Sequence, residues 1–304
     1  MIDPTRTTAA GSTLAGVFAA WSHGHDRSLV GLPWFPFPVR VSAEARAAGE
    51  RIAQRALAAY QLLGQALGTA PQLSLLVLSR DDWDRRAEVP SYGVTHVAAG
   101  GELIVGVEPA DAWHAVSEFF ARRLPPGACA QLTELHGVDA ANGIGPDLAG
   151  LAETLIAHEI AHVVATESGV EFPRRWLEEA FANYALVAVL GETDPAGLRL
   201  VGSLAEAAAT LTDAMPTLTR FEAEFGRMDV VSSVLAELAI TRGVYAAYAV
   251  DHTAPLARLF ATFRDMRDNR DADYELGRML ATRVHPAIAA IPARFAPAAI
   301  GLAA

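Results

Sequence analysis

Cysteine is nearly missing from this chain, with Cys129 the only one in 304 residues. No disulfide can close within it, cysteine-rich zinc modules are excluded, and the composition suits a reducing compartment. Basic residues are also in short supply. There are 24 Lys and Arg against 35 Asp and Glu, a net charge of −11, so a nucleic-acid partner, which needs a concentrated basic face, is not expected. The nearest approach to such a face is Arg264, Arg267 and Arg270, interleaved with Asp265, Asp268 and Asp271 as a solvated helix face or turn. Long apolar runs are lacking as well. The most apolar windows, 73–78 and 244–250, fall well short of the roughly 20 residues a bilayer-spanning helix needs, so no membrane span is expected. Asp3 and Arg6 precede only a mild run to Ala20, which is not the order of a signal peptide, and the expected location is cytoplasmic. There is no G-x-S-x-G, no glycine-rich phosphate loop, no internal repeat and no low-complexity linker. The usual serine-nucleophile and nucleotide signatures are therefore absent.

What the chain has is alanine and helical periodicity. Hydrophobic residues make up 52%, much of it alanine, which favours helix. Residues 1–40, rich in Gly, Pro and Trp, read as an irregular surface segment. A long helix over 42–67 ends at Gly68, a buried strand follows at 73–78, and runs 93–98 and 102–107 form a hairpin around Ala99, Gly100 and Gly101. Helices are then expected over 110–124, 147–167, 174–190, 195–211, 230–250, 255–267 and 273–284, with a loop-rich connection at 127–146. The expected fold is α+β and predominantly helical. Residues 41–168 form an α/β lobe and 169–304 a helical lobe, the two being parts of one unit.

The chemistry concentrates in His158-Glu159-Ile160-Ala161-His162, inside an apolar-periodic helix. Two histidines four apart project from one helical face one turn from each other, so their ring nitrogens can converge on a metal ion. Glu159 beside them can take a proton from metal-activated water and pass it to a leaving amine. A catalytic zinc typically takes three protein ligands. After Glu167, Ser168 and Gly169 break the first helix, residues 176–184 open a second one committed to burial through Trp176, Leu177, Ala180, Phe181 and Tyr184. A helix-turn-helix of this kind can bring Glu179 opposite the histidines, with its neighbour Glu178 a competitor for the same role.

Taken together, HEIAH and the downstream Trp176, Leu177, Glu179, Ala180, Phe181 and Ala182 resemble the gluzincin metallopeptidases, the group of the thermolysin-like endopeptidases and zinc aminopeptidases. The resemblance covers residues 151–190. It implies a zincin-like fold with a sheet lobe and a helical lobe flanking the active-site helix, a zinc ion held by His158, His162 and Glu179, Glu159 as general base, and a peptide or protein substrate. It also implies that Asn183, where the family often has an aspartate, orients His158. The aminopeptidase motif that holds a substrate's free amine has no counterpart, and the strand over 101–107 is the expected place for an extended peptide to pair. The tyrosine that stabilises the oxyanion in such enzymes has Ile240 at its expected position. By distance along the chain Tyr245, with Tyr248 next, takes that role instead. The oligomeric state is not legible. His23, His25 and Asp26 read as polar surface, and His96, His114, His136, His252 and His285 have no partner spacing.

Overall fold

The computed structural model describes residues 28–87, 89, 91–98, 101–266 and 273–296. The expected loop at 23–26, the turn residues 99–100 and the charged stretch 267–272 lie outside them. A five-stranded mixed sheet is built from β1 (Leu29–Gly31), β2 (Val39–Ser42), β3 (Ser74–Leu78), β4 (His96–Ala98) and β5 (Glu102–Gly106), in the order β1-β2-β3-β5-β4. The β2-β3 and β3-β5 pairs are parallel, while β1 and β4 add antiparallel at the two edges. Leu75, Val77, Leu103 and Val105 face one core and Leu76, Leu78 and Ile104 the other, so β3 and β5 are apolar on both faces, as internal strands must be.

Two expectations change here. Residues up to 40 are not all irregular: Leu32, Phe35, Phe37 and Val39 are buried, and β2, which starts at Val39, is an internal strand. Their prolines and glycines hid the alternation. The strand expected to accept a peptide, β5, is bonded on both sides, and the outer strand is β4.

The helices are α1 (Arg46–Leu67), α2 (Arg80–Arg86), α3 (Asp111–Arg123), α4 (Pro126–His136), α5 (Leu151–Glu167), α6 (Arg175–Thr193), α7 (Pro195–Ala208), α8 (Leu218–Glu224), α9 (Val230–Asp251), α10 (Ala254–Arg264), α11 (Asp273–Arg283) and α12 (Pro286–Ala289). Helix α4 falls in the stretch expected to be loop. Pro125-Pro126 ends α3, but Pro126 also occupies the first turn of α4, where a missing N–H removes no helical bond. Helices α1, α5 and β5 pack together, α6 lies against α5, and α9 lies against α6 and α7. One apolar core runs from β2 and α1 through α5 and α6 to α12. Among the described residues α9 is the one helix long and apolar enough to cross a membrane, and half of its apolar window is buried in this fold. Contiguous-run counting overlooked it because Glu237 and Arg242 divide the run.

Candidate metal centre

Helix α5 carries buried residues on nearly every face, including Ile156, Ala157, Ile160, Ala161, Val163 and Val164, as expected of a helix enclosed by other elements. Its two histidines, one turn apart, stack edge-on with ring centroids 4.8 Å apart. The helix ends at Glu167, Gly169 just beyond it has a φ of +64° that suits glycine, and Val170 N–H returns to Ala165. That turn sends α6 back alongside α5. The first turn of α6 has no side-chain cap of its own. The Arg175 and Trp176 N–H groups instead donate to the Glu222 carboxylate of α8, at 3.0 and 2.9 Å. This anchors the helix start one turn before Glu179.

The result is a triangle of ligand atoms. His158 Nε2 and His162 Nε2 are 3.1 Å apart, and Glu179 Oε2 lies 3.3 Å from the first and 3.4 Å from the second. His158, His162 and Glu179 thus form a group able to hold a metal ion. Each imidazole is also held from behind. Asn183 Oδ1 lies 3.3 Å from His158 Nδ1, and Glu178 Oε1 lies 3.6 Å from His162 Nδ1. Glu178 therefore does not compete for the ligand corner. It stands on the far side of the ring and pairs with Arg175 at 2.9 Å, while Arg175 also reaches to 3.6 Å from the outer oxygen of Glu179.

Burial works against charge throughout this cluster, and mutual contact reverses it at three groups. Glu179, only 1% exposed, loses by burial but is held well below the usual carboxylate range by hydrogen bonds from both histidines. Burial opposes protonation of His158 and His162, yet the carboxylates raise both. Glu159 has no such partner. Burial raises it, partly offset by the two histidines and by His96 on β4, and among the described residues nothing hydrogen-bonds its carboxylate.

His158, Glu159 and Glu179 open onto a cleft of about 240 Å³. Its walls are mostly apolar, with Trp113, Leu151, Leu155, Leu186, Val234 and Leu238 among them, and Val94 and Thr95 enter from the run leading into β4. No family model, curated protein or solved structure matches the chain. The function of the cleft is therefore read from its own side chains.

The structure does not bring the expected tyrosines there. Tyr245 packs its ring on Gly202 of α7, in a separate depression with Leu132 and Leu135. Tyr248 fills the space beside Gly191 and stacks edge-on against His252. Both face away because the positions of α9 that meet the cleft are Val230, Ser233, Val234, Glu237, Leu238 and Thr241. Ile240 is fully buried in the core.

Sequence reasoning missed Glu237. Its Oε2 accepts from Asn183 Nδ2 at 2.6 Å, and its Oε1 is buried with no partner among the described residues. Burial, with the charge of Glu179 nearby, pushes its carboxyl up to about 8. No local motif marks it, since 54 residues separate it from Asn183. The available signal was a lone carboxylate inside the apolar run 234–240, where an acid must be paired or functional.

Proposed function

We propose that this cluster is a zinc centre and that the protein is a gluzincin-type hydrolase of peptide bonds. The triangle of donor atoms carries the reading. Ligands about 2.0–2.1 Å from a tetrahedral zinc stand about 3.3 Å from one another, and the separations here are 3.1, 3.3 and 3.4 Å. Two imidazoles and a carboxylate are the donor set of a catalytic site with a position left for water, and four nearby carboxylates, Glu159, Glu178, Glu179 and Glu237, favour a cation. A mixed sheet beside the HEIAH helix, with a helical lobe returning the glutamate, supports a zincin-like architecture. A bound zinc ion supplies Lewis acidity, acidifying water and polarising a carbonyl oxygen.

The chain's own residues do the rest. Glu159, free of hydrogen bonds among the described residues, accepts the proton of the attacking water and passes it to the leaving amine. Burial raises its pKa, which strengthens it as the base that first takes the proton. The apolar walls exclude bulk water, and β4, the last strand in the sheet order, is the edge to which an extended peptide would add.

One observation favours a second reading, a catalytically altered zinc-binding relative with a binding or scaffolding role. Among the described residues no tyrosine lines the cleft, and Ile240 has no donor. Digestion of a varied peptide library separates the two. The hydrolase reading expects cleavage that a chelator abolishes and added zinc restores. Zinc-loaded protein that cleaves no peptide would leave the binding role. Because its ring packs on Gly202, Tyr245→Phe is expected to leave kcat within about twofold of wild type, not the 10²- to 10³-fold loss typical of removing an oxyanion donor. A loss of that size in steady-state kinetics would place Tyr245 in the site after all.

A further inference from the structure

We infer that Glu237 of α9 is a positioning residue for the metal centre, acting through the side-chain amide of Asn183 on the ring of His158. The inference rests on the metal reading above and assigns to this chain its own substitute for a carboxylate placed directly behind the histidine.

The donor and acceptor inventory fixes the direction of the relay. Asn183 stands between His158 Nδ1, at 3.3 Å, and Glu237 Oε2, at 2.6 Å. In the ionised form that a cation at the neighbouring corner favours, the Glu237 carboxylate only accepts, so the Asn183 atom facing it is the donating Nδ2, and the atom facing the ring is then Oδ1. Oδ1 can only accept, which requires the proton of His158 to sit on Nδ1. In the neutral imidazole, the form that ligates a metal, the lone pair is thereby left on Nε2, at the corner shared with His162 Nε2 and Glu179 Oε2. Reversing the amide would set Oδ1 against the carboxylate of Glu237, losing that bond, and Nδ2 against the imidazole, where it would favour the tautomer with its proton on Nε2, the one that cannot ligate there. Glu237 thus selects the amide orientation, and the amide selects the tautomer that can ligate. Asn183 alone, able to rotate, selects neither.

Burial makes the arrangement firm. Asn183 is 3% exposed and His158 7%, so water does not compete for these bonds. Glu237 reaches the pair from another helix, which ties α9 to the α5-α6 pair at the ligand itself. His162 is oriented differently, by the half-exposed Glu178. The two ligands therefore have supports of different chemistry, and loss of Glu237 is expected to act through His158 alone.

The test is zinc affinity of the full-length protein, measured by competition with a chromogenic chelator, with thermal unfolding to report the fold. Loss of such a partner typically weakens a metal site about 10- to 100-fold, and Glu237→Leu is expected to fall in that range. Glu237→Gln keeps an acceptor for Asn183 but not the charge and is expected to weaken zinc less. The discriminating variant is the double change Asn183→Asp with Glu237→Gln, which moves a carboxylate next to the ring and gives it a neutral neighbour. Its affinity is expected to return to within about threefold of wild type. A merely structural role for Glu237 would not produce that rescue. Wild-type affinity in both single Glu237 variants, or a loss in Glu237→Leu with no recovery in the double variant, would overturn the inference while leaving the zinc centre standing. Wild-type protein that binds no zinc would overturn the metal reading and this inference with it.

Discussion

Glu159→Gln is expected to lower hydrolytic turnover about 10²- to 10⁴-fold while the protein keeps about one zinc per chain, the range that a positioned general base typically contributes. The amide has nearly the same shape as the carboxylate, so the cleft is not reshaped. It cannot accept a proton from water, and so has none to pass to the leaving amine. The triangle formed by His158 Nε2, His162 Nε2 and Glu179 Oε2 does not include Glu159, so metal content and activity should separate. Steady-state kinetics beside elemental analysis reads both. Retained activity would transfer the base to another carboxylate on the cleft, with Glu237 the candidate that is not a proposed ligand among its described lining residues, and loss of zinc would mean that Glu159 helps to hold the ion.

His162→Ala is expected to remove zinc and activity together. Structural zinc sites bind with about 10–16 kcal/mol over four ligands, so one ligand is worth about 2.5–4 kcal/mol, or roughly 10²- to 10³-fold in affinity. His162 is the better position for this test than His158. Its side chain is 19% exposed against 9%, so truncation leaves a smaller cavity and the fold is more readily kept. It also takes one of two hydrogen-bonding imidazoles from Glu179, whose carboxyl should then rise toward the range that burial dictates. Titration calorimetry with zinc, alongside circular dichroism to show that the helices remain, checks the outcome. Wild-type affinity in a folded His162→Ala protein would place the ion elsewhere.

How much of this was legible in the sequence depended on whether the signal was local. HEIAH announces itself because spacing on one helix fixes which side chains share a face, and Glu179 is readable from the burial of its own helix around it. Asn183 follows from its place one turn further along, and the structure puts its oxygen against His158. What depends on tertiary approach was hidden. Which of Glu178 and Glu179 faces the Nε2 corner is decided by how α6 enters, and that entry is anchored by Glu222, some forty residues downstream. Tyr245 suited a distance along the chain, but the rotation of α9 turns Glu237 and Thr241 to the cleft and Tyr245 to α7. The sheet suffered similarly. The strands at 29–31 and 39–42 are short and punctuated by proline and glycine, and only pairing with β3 gives them away.

The most direct measurement is anomalous diffraction at the zinc edge from crystals of the purified protein. The account predicts a single ion per chain about 2.0–2.2 Å from His158 Nε2, His162 Nε2 and a Glu179 carboxylate oxygen. A crystal grown with zinc present that shows no anomalous peak there, or an ion bound at other residues while these three remain bonded to one another, would contradict it.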